Sequence, residues 1–141
     1  MDLKDYIRSI KDYPKKGILF RDITTLIKNE TAFEESINQI VERSKKFKID
    51  KIAAIESRGF VFASAVSYIL KKPFIMLRKK NKLPADVHSV DFELEYGTAT
   101  IEVHKDSISE NDSVLIIDDL IATGGTAEAA AKLVEISKGN I

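Results

Sequence analysis

Two adjacent acids, Asp118 and Asp119, directly follow the apolar run Val114–Ile117, and a turn of small residues follows at 122–126. A strand-to-helix turn made of Ala, Thr and Gly lets a ligand approach the backbone. Its N–H groups can converge on an anion at the positive end of the helix. Carboxylates suit other groups, namely hydroxyls or the water shell of a metal. The stretch therefore predicts a site for a ribose 5-phosphate.

Each half of this motif also has an ordinary structural interpretation. A Gly-Gly turn after a strand is often only a tight turn, and paired acids at a strand end can be a solvated edge or a helix cap. The turn is not a Walker A loop, because the lysine and the longer spacing of that loop are missing. The order strand, acids and turn favours the ribose phosphate interpretation over either structural one.

The composition excludes several classes of protein. With 141 residues the chain fits one domain, and 44% hydrophobic residues can supply a core. Lys+Arg and Asp+Glu are both 22, so the net charge of zero argues against a nucleic-acid binder, which is usually strongly basic. The absence of cysteine excludes disulfides and thiol chemistry. Without an N-terminal signal or a membrane-length apolar run, we expect a cytoplasmic protein with no membrane partner.

The periodicity of apolar residues predicts alternating strands and helices. We expect helices at 3–10, 32–47, 59–70 and 126–137, strands at 51–55, 74–77, 99–103 and 114–117, and a loop or hairpin at 84–97. Such alternation predicts an α/β fold with a parallel sheet flanked by helices. Ligands on these sheets bind at the carboxyl ends of the strands, where Arg58 and Asp118 lie.

The motif VLIIDDLIATGGT resembles the phosphoribosyl pyrophosphate (PRPP) binding motif of the type I phosphoribosyltransferases. Four further segments, in the same order and with similar spacing, resemble adenine phosphoribosyltransferases: GILFRDIT at 17–24, ESRGF at 56–60, LRKKNKLP at 77–84 and LEYG at 94–97. The resemblance covers nearly the whole chain. It implies a type I phosphoribosyltransferase fold with an N-terminal hood and a flexible closing loop.

The same resemblance implies an activity. The 5-phosphoribosyl group of PRPP would pass to adenine, giving AMP and pyrophosphate, a reaction of purine salvage. The cofactor would be Mg²⁺, held mainly by PRPP and water, with no direct protein ligand. The enzyme would be a cytoplasmic homodimer whose partners are the small molecules adenine and PRPP.

Carried over residue by residue, the resemblance assigns most of the PRPP site. Asp118 and Asp119 would hold the ribose hydroxyls. The 5-phosphate would bind to Ala122, Thr123, Gly124, Gly125 and Thr126. Pyrophosphate would bind to Ser57, Arg58, Arg78, Lys79 and Lys82, and the family often has a cis peptide in the Ser-Arg-Gly segment.

The remaining assignments concern the base and the closing loop. In the hood, Phe20 would stack on adenine, and backbone groups near Leu19 and Arg21 would read the edge of the base. In the loop, Glu95 would be the catalytic acid or base, and Tyr96 would shield the sugar.

The chain departs from the family at two places. After the last helix only Gly139, Asn140 and Ile141 remain, so the single domain 1–141 is expected to lack the family's final strand and hairpin. The segment PADVHSVD at 84–91 lacks the usual Gly-Pro loop. Three alternatives stay open: a transferase for another purine base, a non-catalytic PRPP-binding regulator, and an inactive truncated form.

Overall fold

The computed structural model describes residues 1–94, 97–121 and 124–141, which form two compact units, 1–43 and 44–141. The first unit begins with a short 3-10 helix, Leu3–Tyr6. Its further elements are β1 (Arg8–Lys11), β2 (Leu19–Asp22), α1 (Thr24–Ile27) and nearly all of α2 (Glu30–Ser44). β1 and β2 pair antiparallel, with Ile10 opposite Phe20.

The second unit is built on a five-stranded sheet in the order β5-β6-β4-β3-β7. Its elements are β3 (Lys51–Ile55), α3 (Arg58–Leu70), β4 (Phe74–Lys79), β5 (Val87–Leu94), β6 (Gly97–His104), β7 (Val114–Ile117) and α4 (Gly125–Ile136). β3 runs parallel to both β4 and β7, whereas β6 runs antiparallel to β4 and β5. The α/β fold is confirmed, with a parallel centre and an antiparallel hairpin at one edge.

The core of this unit lies on both faces of the central strand. Ala53 and Ile55 belong to a buried cluster that includes Leu133 and Val134 of α4. Ile52 and Ala54 alternate with them, so they point to the opposite face, and they are also buried. This burial on both faces explains why β3 and β7 read in the sequence as continuous apolar runs.

The predicted helix at 3–10 is wrong in its second half. The four-residue 3-10 helix ends at Tyr6, and Arg8–Lys11 is the strand β1. The strand is held from outside its own segment, since the Nε of Arg8 donates to Oδ2 of Asp22 on β2 at 3.1 Å. The spacing of apolar residues within a short segment cannot indicate a partner this far away in the sequence.

Two other boundaries differ from expectation. α2 begins at Glu30 and ends at Ser44. Its start is capped by Asn29, whose Oδ1 accepts the N–H of Ala32 at 2.9 Å. Phe47, counted in the predicted helix, lies beyond it and is exposed. The segment 84–97 contributes a full strand, β5, to a hairpin, so the hairpin alternative is confirmed over the loop.

Across the described part of the chain, no helix has the length and apolar character needed to span a bilayer.

Candidate functional site

A cavity of about 490 Å³ lies at the carboxyl ends of β3 and β7. The two strands are neighbours in register, with Ala54 opposite Ile117, so the residues that follow them meet at one edge of the sheet. Of the residues predicted from the sequence, the cavity is lined by Ser57, Arg58, Lys79, Asp118, Asp119 and Thr126. The structure therefore brings together both acids, two of the predicted cations and the first turn of α4.

The two acids have different partners. Oδ1 of Asp118 accepts the backbone N–H of Asp119 at 2.8 Å. Burial, followed by the hydrogen bond and like charge of Asp119, raises the pKa of Asp118 to about 6. Oδ2 of Asp119 lies 2.9 Å from Nε of Arg58. One acid predicted to bind ribose and one cation predicted to bind pyrophosphate thus form an ion pair with each other.

Gly59 lets α3 begin directly against the acids. A Cβ at this position would lie 3.2 Å from Oδ1 of Asp118 and 3.3 Å from the carbonyl oxygen of Ile117. Both contacts are tighter than ordinary van der Waals distance, so a larger residue here requires the carboxylate or the carbonyl to move by a few tenths of an ångström. The sequence alone does not indicate this role of Gly59.

The predicted phosphate turn is described from Gly124 onward, and Ala122 and Thr123 lie outside the described residues. Gly124 caps α4 in a left-handed conformation with φ of +89°, which favours glycine. The start of α4 therefore presents backbone N–H groups and the positive end of the helix dipole, a combination that suits an anion. Thr126 lines the cavity from this first turn.

The Ser-Arg-Gly segment has the geometry implied by the resemblance, since the peptide bond between Glu56 and Ser57 is cis. Glu56 is the residue that sequence reasoning missed. Its Oε1 accepts the N–H of Lys79 at 2.7 Å and lies 3.3 Å from Nε of Arg78. The available signal was an acid placed between a buried strand and the serine.

Arg78 and Lys82 do not line the cavity in the described part of the chain. Arg78 lies in β4 as an ion pair with Glu56, whereas Lys82 is exposed in the turn that follows this strand. Their predicted contact with pyrophosphate therefore stays a prediction. The loop residues Glu95 and Tyr96 lie outside the described residues, and so do their predicted roles.

The three residues predicted to bind adenine lie on β2 of the first unit. The ring of Phe20 packs edge-on against Tyr13, with centroids 5.1 Å apart. The guanidinium of Arg21 donates to the hydroxyl of Ser9 on β1, and Leu19 is exposed. Tyr13 had not been singled out in the sequence, although it is an aromatic residue close to GILFRDIT.

Among the residues that the structure describes, no three His, Asp or Glu side chains cluster closely enough to hold a metal ion. The nearest arrangement to a hard-cation site is the carboxylate pair itself. Two adjacent carboxylates suit Mg²⁺ through its water shell, because this ion keeps several waters when it binds to proteins.

Comparison with known proteins gives consistent matches. Residues 22–139 match the phosphoribosyl transferase domain model. The chain is 86% identical to an adenine phosphoribosyltransferase of Pelagibacter ubique over 141 residues, which is 100% of this chain and 81% of that protein.

Solved structures agree. Adenine phosphoribosyltransferase from Thermoanaerobacter pseudethanolicus superposes with a TM-score of 0.95 at 48% identity, over 99% of this chain and 81% of that one. The Saccharomyces cerevisiae protein, solved with adenine and an imino-altritol bisphosphate, gives a TM-score of 0.92 at 36% identity, with coverages of 99% and 81%.

Proposed function

The chain belongs to the phosphoribosyl transferase domain family, among the adenine phosphoribosyltransferases, and on this premise we propose how its residues act. The reaction moves the 5-phosphoribosyl group of PRPP to adenine. The anomeric carbon–oxygen bond to pyrophosphate breaks, a bond to a ring nitrogen of adenine forms, and AMP and pyrophosphate leave. The observation that carries the proposal is the single cavity shared by the acids, Arg58, Lys79 and Thr126.

The ribose binds to the two acids. Ionised Asp118 and Asp119 accept hydrogen bonds from the ribose hydroxyls, and these bonds strengthen as positive charge develops on the ring. The transition state resembles an oxocarbenium ion, as in glycoside chemistry. Carboxylates at this strand end therefore serve both the binding of PRPP and the electrostatics of its cleavage.

The 5-phosphate binds at the start of α4. The N–H groups of the first turn, which begins at Gly124 and includes Thr126, and the positive end of the helix dipole supply the attraction. Ala122 and Thr123 complete the turn by resemblance to the family.

Pyrophosphate binds to Ser57, Arg58 and Lys79 in the cavity, with Arg78 and Lys82 as further cations by resemblance. Arg58 is now paired with Asp119 at 2.9 Å, so binding of PRPP exchanges this ion pair for a phosphate on one side and hydroxyls on the other. The cofactor proposed is Mg²⁺, bound to PRPP and water beside Asp118 and Asp119, where it would neutralise charge on the leaving group.

Adenine binds to the hood strand β2. Phe20 offers an aromatic face held in place by Tyr13, and backbone groups near Leu19 and Arg21 read the edge of the base. Glu95 serves as the acid or base near the purine, and Tyr96 shields the sugar, both by resemblance. A Phe20→Ala variant is expected to raise the KM of adenine more than that of PRPP.

The proposed form of the enzyme is one phosphoribosyltransferase domain, 1–141, that pairs as a cytoplasmic homodimer. The support for a dimer is the apolar side of α3 that remains exposed at Val61, Tyr68 and Ile69. Light scattering at micromolar concentration tests the dimer, and a monomer of wild-type activity would refute it.

The deciding experiment is turnover of adenine with PRPP and Mg²⁺, beside hypoxanthine and guanine as competing bases. We expect AMP and pyrophosphate in equal amounts, with kcat/KM for adenine far above that for the other two purines. Turnover of hypoxanthine or guanine at a comparable rate would overturn the choice of base. PRPP binding without any turnover would support a regulator or an inactive form.

A further inference from the structure

The turn after β4 carries three lysines on four residues and is referred to as the basic turn, residues 79–82. Its backbone closes through a bond of 3.3 Å from the N–H of Lys82 to the carbonyl of Lys79. At its tip, Asn81 adopts a left-handed conformation with φ of +68°. Contacts from outside such a short, exposed turn help it to hold one shape, because ordering its residues costs conformational entropy.

Glu102 of β6 supplies this support from the sheet. Its Oε1 accepts the N–H of Asn81 at 2.9 Å, and its Oε2 accepts the hydroxyl of Ser89 on β5 at 2.6 Å. The strand registers place Glu102 opposite both Arg78 and Ser89, so the carboxylate lies between the basic turn and the hairpin. The Ser89 hydroxyl, and after it the Asn81 N–H, lower the pKa of Glu102, which is therefore ionised at neutral pH.

The burial of this carboxylate is unusual for its place in the strand. Glu102 is only 7% exposed and stands between Ile101 and Val103, which are both buried. A buried carboxylate costs free energy that an apolar side chain at the same place would not. Its hydrogen bonds with Asn81 and Ser89 both go to neighbouring segments, one of them the backbone of the basic turn.

We propose that Glu102 is a positioning residue for PRPP: by holding the Asn81 N–H, it fixes the basic turn so that Lys79 and Lys82 meet the pyrophosphate group. The inference rests on the proposed function, because it needs pyrophosphate to bind at the basic turn. Glu102 touches no substrate and acts through the turn alone.

The test compares three changes at two residues. Glu102→Met keeps the size of the side chain and removes the acceptor, and it should raise the KM of PRPP roughly five- to tenfold. Inhibition by pyrophosphate should weaken by a similar factor, while the KM of adenine and kcat stay within twofold. Glu102→Gln keeps an acceptor for Asn81 and should retain most of the PRPP affinity.

Asn81→Ala changes the same turn at an exposed residue, so it avoids the risk of misfolding that a change at the buried Glu102 carries. Alanine disfavours the left-handed conformation, so this variant should also raise the KM of PRPP selectively. Asp112→Asn is the matched control, since it alters another carboxylate of the second unit that accepts a backbone N–H, from Ser109. It should lower stability without changing the KM of PRPP.

Lysine variants separate the inference from the proposed function. If Lys79→Ala and Lys82→Ala leave PRPP kinetics unchanged, the pyrophosphate assignment fails and takes the inference with it. If they raise the KM but Glu102→Met and Asn81→Ala do not, the positioning role alone is overturned. The expected result is that Glu102→Met raises the KM less in the Lys82→Ala background than in the wild type.

Discussion

The acids at the two ends of β7 have pKa values shifted in opposite directions. Asp112, two residues before the strand, lies 2.8 Å from Nζ of Lys51 and accepts the N–H of Ser109 at 2.7 Å. These partners, Lys51 first, lower its pKa. Asp118, directly after the strand, is partly buried and has another carboxylate as its neighbour, and these two causes raise its pKa to about 6.

The difference separates an acid that the fold satisfies from one that a ligand must satisfy. Asp112 has a cation and a donor supplied by its own chain, so its charge is favourable in the folded state. Asp118 is held beside a like charge and is partly removed from water. A half-buried carboxylate beside a like charge marks a candidate functional position, and we propose that the hydroxyls of PRPP are its hydrogen-bond donors.

The largest expected effect comes from removing both charges at the far end of the strand. Asp118→Asn together with Asp119→Asn should lower kcat/KM for PRPP by on the order of 10²-fold or more, since each hydrogen bond to a charged group contributes about 1.5–3 kcal/mol. Initial rates at varied PRPP measure this. A double variant with wild-type kcat/KM would remove the ribose assignment.

The pH profile should distinguish the two acids next. If ribose binding needs ionised Asp118, kcat/KM for PRPP falls about tenfold per pH unit below about 6. In Asp118→Asn this step should disappear from the residual activity. A wild-type profile that is flat between pH 5 and 7 would contradict the assignment.

The stability of the fold should also depend on the pKa of Asp118, but it should fall as pH rises, whereas activity should fall as pH drops. Between the ordinary pKa of 3.8 and about 6, the folded state binds more protons at Asp118 than the unfolded state does. The stability contribution of this group is therefore present at low pH and is lost as pH rises through about 6. Asp118→Asn should melt above the wild type at pH 7, with a smaller difference at pH 4.

A smaller effect is expected from Gly59→Ala. The new Cβ crowds Asp118 and the carbonyl of Ile117, and overpacking of about 1 kcal/mol corresponds to roughly a fivefold rise in the KM of PRPP. Asn38→Ala, at an exposed position of α2, is the control and should leave the KM of PRPP unchanged. Equal kinetics for both variants would show that the close approach is not needed.

The smallest effect on catalysis is expected at the near end of β7. Asp112→Asn loses the ion pair with Lys51 and should lower the free energy of unfolding by about 1 kcal/mol, seen as a Tm lower by a few degrees. PRPP kinetics should stay within twofold. A large loss of activity without a lower Tm would erase the contrast between the two acids.

The sequence predicted the parts of the fold that local patterns encode. β7 was placed at its observed bounds because an apolar run lies between polar residues, and α4 was placed within one residue at each end. β1 was mistaken for helix because its order depends on pairing with β2. The segment 84–97 predicts a loop or a hairpin, and the structure has the hairpin strand β5, in which Val90 and Phe92 alternate with exposed acids and pack on the core.

The site residues divide in the same way, into those that a local sequence pattern reveals and those that depend on distant contacts. Motifs named the acids and cations that line the cavity, because each sits next to a strand end that the sequence reveals. The only sequence signal for Glu56 is its place between a buried strand and the serine, and Glu102 has none. Both accept backbone N–H groups brought to them by β4 and the turn that follows it. Hydrogen bonds to main-chain atoms leave no trace in the identity of the donor residue.

Because β3 and β7 are neighbours in the sheet, the distance between the residues at their carboxyl ends is fixed. Backbone hydrogen bonds hold the two parallel strands at the lateral repeat of about 4.8 Å, and their ends carry Ser57 on one side and Asp118 on the other. If PRPP binds as proposed, the main chain rather than flexible side chains sets the distance between the pyrophosphate and the ribose subsites. Substitutions in the base-binding segment should therefore leave this strand spacing unchanged. A variant engineered for another acceptor base would still use PRPP as its donor.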